Sequence, residues 1–364
     1  MKVLLCAAGA AGAKAMMSAI ASNAINIEDT VMINSTSKDF PKDYTGKTII
    51  LADNDTGCGK ERAVAKEYAK KAISEGKLTF DNINKYEAVV VVTSCEGGTG
   101  SGSAPIIAKF FNKVCNRNAH IIALTGFEND IRGISNTVEF FKEIDPAIMV
   151  QTISNKAFLS EAGNNNLKAE ELANKEFAER LSVLTGKDFI EGSQNIDDTD
   201  ILKLSNTSGY MTVEKKYFNK SLETRDDFEK IIKNMYYKSA SIKANNAARI
   251  GAILNIKPES SDAIDYSFET LKEVYGNPFE FFTQVQWDGK KEYIAYIVSG
   301  MKMPIDEVEA IYERYIEESS KLDKTSDEFF SKIKDMNILD EDSKFNMIKN
   351  PSKGISCAEF LEDN

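Results

Sequence analysis

Apolar runs alternate with segments of helical spacing along the first half of the chain. Ala88–Thr93 is a continuous β-branched run, typical of a strand buried on both faces, and Lys2–Cys6 is a second apolar run. Lys60–Ser74 instead carries apolar residues at the spacing of an amphipathic helix. The same criteria predict strands at Val31–Asn34, Thr48–Ala52, His120–Thr125 and Ala147–Ser154, and helices at Ala11–Ser22, Pro105–Asn116 and Ser135–Glu143. Strands that alternate with helices indicate an α/β fold with a doubly wound parallel sheet.

The second half of the chain has a different organisation. Leu167–Leu184 predicts one long helix, and the segments after it mix shorter strands and helices. From Pro304 the pattern is helical and highly charged, whereas the residues from Asp340 onward are polar and predict a mobile tail. We therefore divide the chain into an N-terminal α/β domain (1–165), a central helix (166–190), a smaller C-terminal α/β domain (191–303), a helical extension (304–338) and a flexible tail (339–364).

Composition excludes several functional classes. The chain has 364 residues, 42% of them hydrophobic and 28% charged, which fits about two globular domains and excludes global disorder. A net charge of −11 argues against broad, direct binding of nucleic acid. One histidine and five cysteines without a CxxC pair exclude a zinc ribbon and a histidine-based metal site, and they fit a reducing cytoplasm. The apolar start favours a buried strand over an export signal, and we expect no membrane span.

The strongest chemical signal is a glycine-rich segment, Thr93–Pro105, between a predicted strand and a predicted helix. Four glycines within Gly97–Gly102 allow backbone amides to approach a polyanion without a Cβ in the way. The start of the following helix adds unpaired amides and a positive dipole end, and the hydroxyls of Thr99, Ser101 and Ser103 add donors or a contact for Mg²⁺. No Lys-Ser or Lys-Thr pair follows, so this is not a Walker A loop. The segment predicts a phosphate cradle, with a tight turn or linker as the alternative.

Two further loops precede predicted helices at the same edge of the sheet. Gly9 and Gly12 stand among alanines after the first strand, and Asp53–Lys60 follows the third. Taken alone, the first loop equally fits ordinary helix packing, and the second fits a turn followed by a cap. Because ligands of parallel sheets bind at the carboxyl ends of the strands, three such loops together favour a ligand site there.

Gly97–Gly102 resembles the signature loop of the tubulin/FtsZ superfamily, with Glu96 in place of the family's first glycine. The resemblance extends over most of the chain, and it implies binding of GTP or GDP with Mg²⁺ near Thr99. It implies nucleotide contacts from Gly9, Ala10, Ala11, Gly12, Lys14, Asp55, Thr56, Gly57, Gly97, Gly98, Thr99, Gly100, Ser101, Glu128, Arg132, Asn155 and Asn174.

Three groups within this set have expected positions. By the resemblance, Glu128 and Arg132 lie near the ribose, and Asn174 lies at the edge of the guanine. A Cβ at Gly98 or Gly100 is expected to collide with the phosphates.

A second resemblance lies after the central helix, in Asn195–Asp200. Taken alone, this acidic loop fits a solvated surface loop. It is similar to the family's loop that enters the nucleotide site of the next subunit, which implies that Asp197 and Asp200, together with Asn195, polarise the attacking water. The resemblance therefore implies a GTPase that acts at a head-to-tail contact between copies of the chain.

The charged helix from Pro304 onward resembles the C-terminal helix of the TubZ branch, the plasmid and phage partition tubulins. The alanines of the first loop and Lys14 depart from the division protein FtsZ. The TubZ resemblance implies a cytoplasmic filament that moves DNA through a small adaptor bound to a centromere-like site. The alternatives are an FtsZ-like division or phage-positioning tubulin, an inactive homologue and, from a different class, a monomeric nucleotide-dependent oxidoreductase.

Overall fold

A computed structural model describes residues 1–80, 82–187, 196–218, 225–238, 246–257, 263–287, 291–303 and 305–322. The predicted tail and Asn195 lie outside these residues, as do residues 323–338 of the predicted helical extension. The strands are β1 Val3–Ala8, β2 Thr30–Asn34, β3 Lys47–Ile50, β4 Ala88–Ser94, β5 Asn118–Thr125, β6 Met149–Ser154, β7 Gly209–Tyr217, β8 Arg249–Asn255, β9 Glu280–Gln286 and β10 Tyr293–Met301. The helices are α1 Gly9–Ala21, α2 Arg62–Ser74, α3 Thr99–Lys113, α4 Ile131–Lys142, α5 Asn166–Leu184, α6 Asp198–Ser205, α7 Arg225–Lys238, α8 Ala263–Tyr275 and α9 Ile305–Leu322.

The described strands form one sheet in the order β3-β2-β1-β4-β5-β6-β7-β10-β8-β9. Neighbouring strands from β3 to β7 are parallel, and β6 joins β7 through the pairs Met149–Gly209 and Val150–Tyr210. Strand β10 is antiparallel to both β7 and β8. The predicted doubly wound parallel sheet is confirmed, and the sheet continues through the segment predicted as a second domain.

Successive residues of β1 face opposite helical layers, because side chains alternate along a strand. Leu5 shares a core cluster with α1 and α5, whereas Leu4 packs in the cluster of α2 and α3. Helix α5 also reaches the second half of the sheet, since Leu181 shares the first cluster with Val213 and Ile297. This central helix therefore packs under the junction of the two halves. Among the described residues, no helix is both long and apolar enough to cross a membrane.

The start of α3 is the main error in the predicted elements. The helix begins at Thr99, not at Pro105, so most of the glycine-rich segment is its first turns. The hydroxyl of Ser101 donates to the carbonyl of Gly97, and that of Ser103 donates to the carbonyl of Thr99 at 2.7 Å. Both hydroxyls therefore donate to the helix backbone in this structure, and a contact of either with a ligand stays a prediction.

Candidate nucleotide site

Two helices, α1 and α3, begin at the carboxyl edge of the sheet without a capping side chain. Helix α1 starts directly after Ala8 and α3 directly after Gly98, and neither has an acidic residue in its first turn. The two starts adjoin, since a Cβ on Gly9 would lie 3.0 Å from the amide nitrogen of Gly100. Unpaired amides and two positive dipole ends make this edge favourable for a polyanion.

The glycine loop, defined as Cys95–Gly98, contacts loops that follow other strands. A Cβ on Gly98 would lie 2.6 Å from the Cα of Lys60, in the loop after β3. The Glu96 carboxylate accepts a hydrogen bond of 2.7 Å from the amide of Glu128, which follows β5. The loops after β3 and β5 therefore both contact the glycine loop.

Thr99, directly after the glycine loop, reaches a residue that sequence reasoning missed. Its hydroxyl lies 2.9 Å from the hydroxyl of Ser35, which is almost fully buried and follows β2. The position of Ser35 at the end of a predicted parallel strand was the one signal available for it.

Asn136 on α4 is a second residue that sequence reasoning missed. Its side-chain amide is buried and donates toward the carbonyl of Lys60 at 3.1 Å, of Glu96 at 3.0 Å and of Gly97 at 3.2 Å. It therefore fixes the glycine loop against the loop after β3. No local pattern indicates this role, because the contacts join residues 39 to 76 positions apart.

Charged side chains surround the ribose side predicted by the resemblance. Burial raises the pKa of Glu96 above its usual value, and the nearby charge of Asp130 acts in the same direction. Lys60 donates to Asp130 at 2.8 Å, and this contact lowers the pKa of Asp130. Lys156 lies 3.3 Å from the carboxylate of Glu128, which is 14% exposed. Acidic and basic side chains therefore lie next to one another in this part of the site.

The loop after β3 satisfies several of its polar side chains internally. The Asp55 carboxylate accepts hydrogen bonds from the amide and hydroxyl of Ser37, which lowers the pKa of Asp55. Thr56 donates to the side chain of Asn54 at 2.7 Å. A Cβ on Gly57 would meet no atom within 4 Å, so the backbone of Gly57 faces open space.

The outer members of the predicted set lie around this centre. Lys14 on α1 pairs with Glu170 on α5 at 3.2 Å, and Asn174 lies one turn beyond Glu170 on the same face of α5. Arg132 is half-exposed and pairs with Glu61, in the loop after β3.

Asn155 and the remaining small residues of the set lie at strand ends or in α1. Asn155 directly follows β6 and is partly buried. Ala10 and Ala11 lie in the first turn of α1 and are exposed and partly exposed, respectively.

Three predicted glycines have roles in packing. A Cβ on Gly12 would collide with the carbonyl of Val92, so Gly12 permits close contact between α1 and β4. A Cβ on Gly98 would strike the backbone of the loop after β3, and one on Gly100 would strike Thr93 and Ala8. At Gly98 and Gly100 a Cβ would therefore meet protein atoms, and the predicted collision with phosphates stays a prediction. Gly97, by contrast, has no atom within 4 Å of such a Cβ.

The predicted catalytic aspartates cap helix α6. Asp197 accepts a hydrogen bond of 2.9 Å from the amide of Asp200, and Asp200 accepts one of 3.3 Å from the amide of Asp197. This reciprocal pair is a capping box, and it satisfies amides at the start of the helix. Asn195 lies outside the described residues.

The glycine loop lies at the carboxyl ends of the parallel strands, whereas helix α6 lies at their opposite, amino-terminal ends. Met1, just before β1, accepts a hydrogen bond from the Ser205 hydroxyl at 3.3 Å, and its amino group contacts Asp198. Gly9 follows the other end of β1, and the strand's six residues span about 20 Å. The aspartates of one chain therefore cannot reach the cradle of the same chain.

We call the glycine loop and the starts of α1 and α3 the cradle. It fits a polyphosphate, because neither helix start is capped by a side chain and a Cβ on Gly97 would meet no atom within 4 Å. The described residues contain no group of three His, Cys, Asp or Glu side chains arranged to hold a metal. A magnesium ion here would be held mainly by phosphate oxygens and water, and the Thr99 hydroxyl stays its predicted contact on the protein.

The fold and the first part of the chain point to one class. Residues 5–163 match the family model described as Tubulin/FtsZ family, GTPase domain. This match contains the loops after β1 through β6 described above. The chain has a tubulin/FtsZ-like α/β fold, and the match to the family model lies within its first half.

Particular relatives support the same fold. The tubulin-like protein CetZ1 of Haloferax volcanii is 23% identical over 224 residues, which cover 56% of this chain and 54% of that protein, so the match spans about half of the relative's length. Clostridium botulinum phage c-st TubZ, truncated at its C-terminal tail, has a TM-score of 0.69 and 19% identity over 88% of this chain and 98% of its own. A GTPγS-bound protofilament of CetZ2 from Haloferax volcanii has a TM-score of 0.68 and 16% identity over 88% and 100% of the two chains. TubZ and CetZ proteins are thus equally similar in fold.

Proposed function

We propose that the chain is a GTPase that assembles head to tail and hydrolyses GTP between two copies. The observation that carries this proposal is the separation of the cradle and the Asp197–Asp200 box at opposite edges of one sheet. Two incomplete half-sites at opposite poles make a heterologous contact, which propagates as an open filament. The GTPase-domain match and the CetZ2 protofilament support the same conclusion.

In this mechanism, the amides at the starts of α1 and α3 bind the phosphates. Asp197 and Asp200 of the next copy orient the water that attacks the terminal phosphorus and accept its proton as the bond to the leaving oxygen breaks. A bound Mg²⁺ would supply charge neutralisation at the phosphates, with the Thr99 hydroxyl as its predicted contact on the protein. The protein supplies position and electrostatic complementarity rather than a covalent intermediate, as in other phosphoryl transfers.

Light scattering and phosphate release, measured together over a dilution series with GTP, test the proposal. GDP and a slowly hydrolysed GTP analogue serve as controls. We expect turnover per subunit to vanish below the concentration at which scattering appears. Turnover that is constant on dilution would contradict a site shared between copies. Binding of a nicotinamide dinucleotide instead of GTP would favour the alternative of a monomeric oxidoreductase.

The biological role proposed for the filament is DNA partition through a small adaptor on a centromere-like site. The fold similarity to a phage TubZ supports it, while the equal similarity to CetZ proteins supports a different cytoskeletal role as the second candidate. Co-pelleting of an adaptor–DNA complex with filaments of the full chain separates the two, and deletion of residues 340–364 tests the tail as the docking segment. In the partition role, the truncated protein keeps GTP hydrolysis but no longer co-pellets the adaptor–DNA complex. Full recruitment by the truncated protein would exclude the tail as the docking segment.

A further inference from the structure

Helix α9 reaches Glu128, on the side of the candidate site where the resemblance predicts the ribose. It packs on α4, where Ile311 is buried against Ile134 and Val138, with Tyr312 and Tyr315 beside them. This packing brings one face of α9 next to the loop that precedes α4. The contact joins segments more than 170 residues apart in sequence.

Arg314 on this face forms an ion pair with Glu128. The guanidinium contacts the Oε2 atom of the carboxylate, and Lys156 lies 3.3 Å from the same oxygen. Both cations therefore approach the carboxylate from the side of Oε2. The Nε atom of Arg314 donates to the carbonyl of Ala310 at 3.3 Å, which fixes the direction of the side chain.

Glu128 is also constrained at its backbone. Its φ is 59°, in the left-handed region that non-glycine residues seldom adopt, and its amide donates to Glu96. Such conformations persist where the surroundings determine them, and they concentrate at functional sites. Three separate contacts thus hold this residue in one orientation, with the two cations gathered at Oε2.

We infer that Arg314 is a positioning residue for the nucleotide ribose. From the C-terminal helix it orients Glu128, which the family resemblance predicts to lie near the ribose, so that Oε1 accepts from a ribose hydroxyl. The inference rests on the proposed function, which supplies the nucleotide. By linkage, a ribose that engages Glu128 also stabilises the docking of α9 on α4.

Calorimetric titration of the full chain with GTP and with 2′,3′-dideoxy-GTP tests the inference, because the second ligand lacks the hydroxyls. The variants are Arg314→Gln, Arg314→Lys and Glu128→Gln. Lys233→Gln is the matched control, since it breaks an exposed ion pair with Glu229 on α7. We expect Arg314→Gln to weaken GTP binding about threefold to tenfold and to change dideoxy-GTP binding less than twofold. Arg314→Lys and the control should keep the parent ratio of the two affinities.

Two further outcomes complete the test. In a Glu128→Gln background, Arg314→Gln should have no additional effect on GTP binding if it acts through Glu128. GTP, but not dideoxy-GTP, should slow amide hydrogen exchange in α9. Equal losses for both nucleotides, or no loss for either, would overturn the inference and leave the proposed function standing as long as the parent binds GTP. A parent that binds neither nucleotide would overturn both.

Discussion

Gly97→Ala is the sharpest perturbation of the phosphate cradle. In the structure, a Cβ at this position meets no atom within 4 Å, and the residue does not have a positive φ. An alanine is therefore accommodated, and its smaller unfolded-state entropy should leave the free energy of unfolding unchanged or raised by up to about 1 kcal/mol. A phosphate that occupies this space would instead be displaced by the methyl group.

The expected loss of affinity follows from one displaced contact. A hydrogen bond to a charged group contributes about 1.5–3 kcal/mol, so the Kd for GTP should rise roughly 10- to 100-fold. Calorimetric titration measures this, with thermal unfolding of the same samples to show that the fold is intact.

Gly98→Ala provides the contrast to Gly97→Ala. Its Cβ would lie 2.6 Å from the Cα of Lys60, and the resulting strain should reduce the free energy of unfolding by about 1–3 kcal/mol. A Gly97→Ala variant that is stable and binds GTP with the Kd of the parent would refute the cradle.

Three further variants test other parts of the account. Asp200→Asn keeps an oxygen for the α6 capping box, so assembly should persist while phosphate release per assembled subunit falls at least about 100-fold; parent turnover would contradict the catalytic assignment. Asn136→Ala should lower the free energy of unfolding by about 1–3 kcal/mol and should also weaken GTP binding. An unchanged Kd for GTP would mean that Asn136 contributes to stability alone. Burial lowers the pKa of His120 from 6.5 to about 4. The unfolded chain therefore takes up a proton first as the pH falls, so stability should decrease by up to about 3 kcal/mol between pH 6.5 and 4, and His120→Gln should lack that part of the decrease in urea titrations.

The order of strands and helices was predictable because each buried strand and amphipathic helix has its own local periodicity. The start of α3 was not, because glycine and serine disfavour helices in isolation. Tertiary packing reverses that preference here: Gly100 and Gly102 permit contacts that a Cβ would block, and the Ser101 hydroxyl bonds within the helix. Helix propensity therefore predicts the start of a helix poorly where two elements pack this closely.

Part of the candidate site could also be predicted from the sequence. Loops at the ends of parallel strands share one edge, so the glycine loop and its neighbours could be grouped from the sequence. Asn136 and Arg314 could not, since each acts across a long sequence separation and neither lies in a motif. Asp197 and Asp200 form a helix-capping box in the structure, whereas their catalytic role is a prediction from the family resemblance.

A mixing experiment tests the shared site most directly. Gly97→Ala has a damaged cradle and intact aspartates, whereas Asp200→Asn has an intact cradle and a damaged aspartate. In an equimolar mixture, roughly a quarter of randomly ordered head-to-tail contacts combine the two intact halves. At GTP concentrations where each variant alone is nearly inactive, hydrolysis between copies predicts that the mixture recovers up to about a quarter of the parent's phosphate release, since only complete interfaces turn over. A mixture no more active than the average of its two components would contradict hydrolysis between copies.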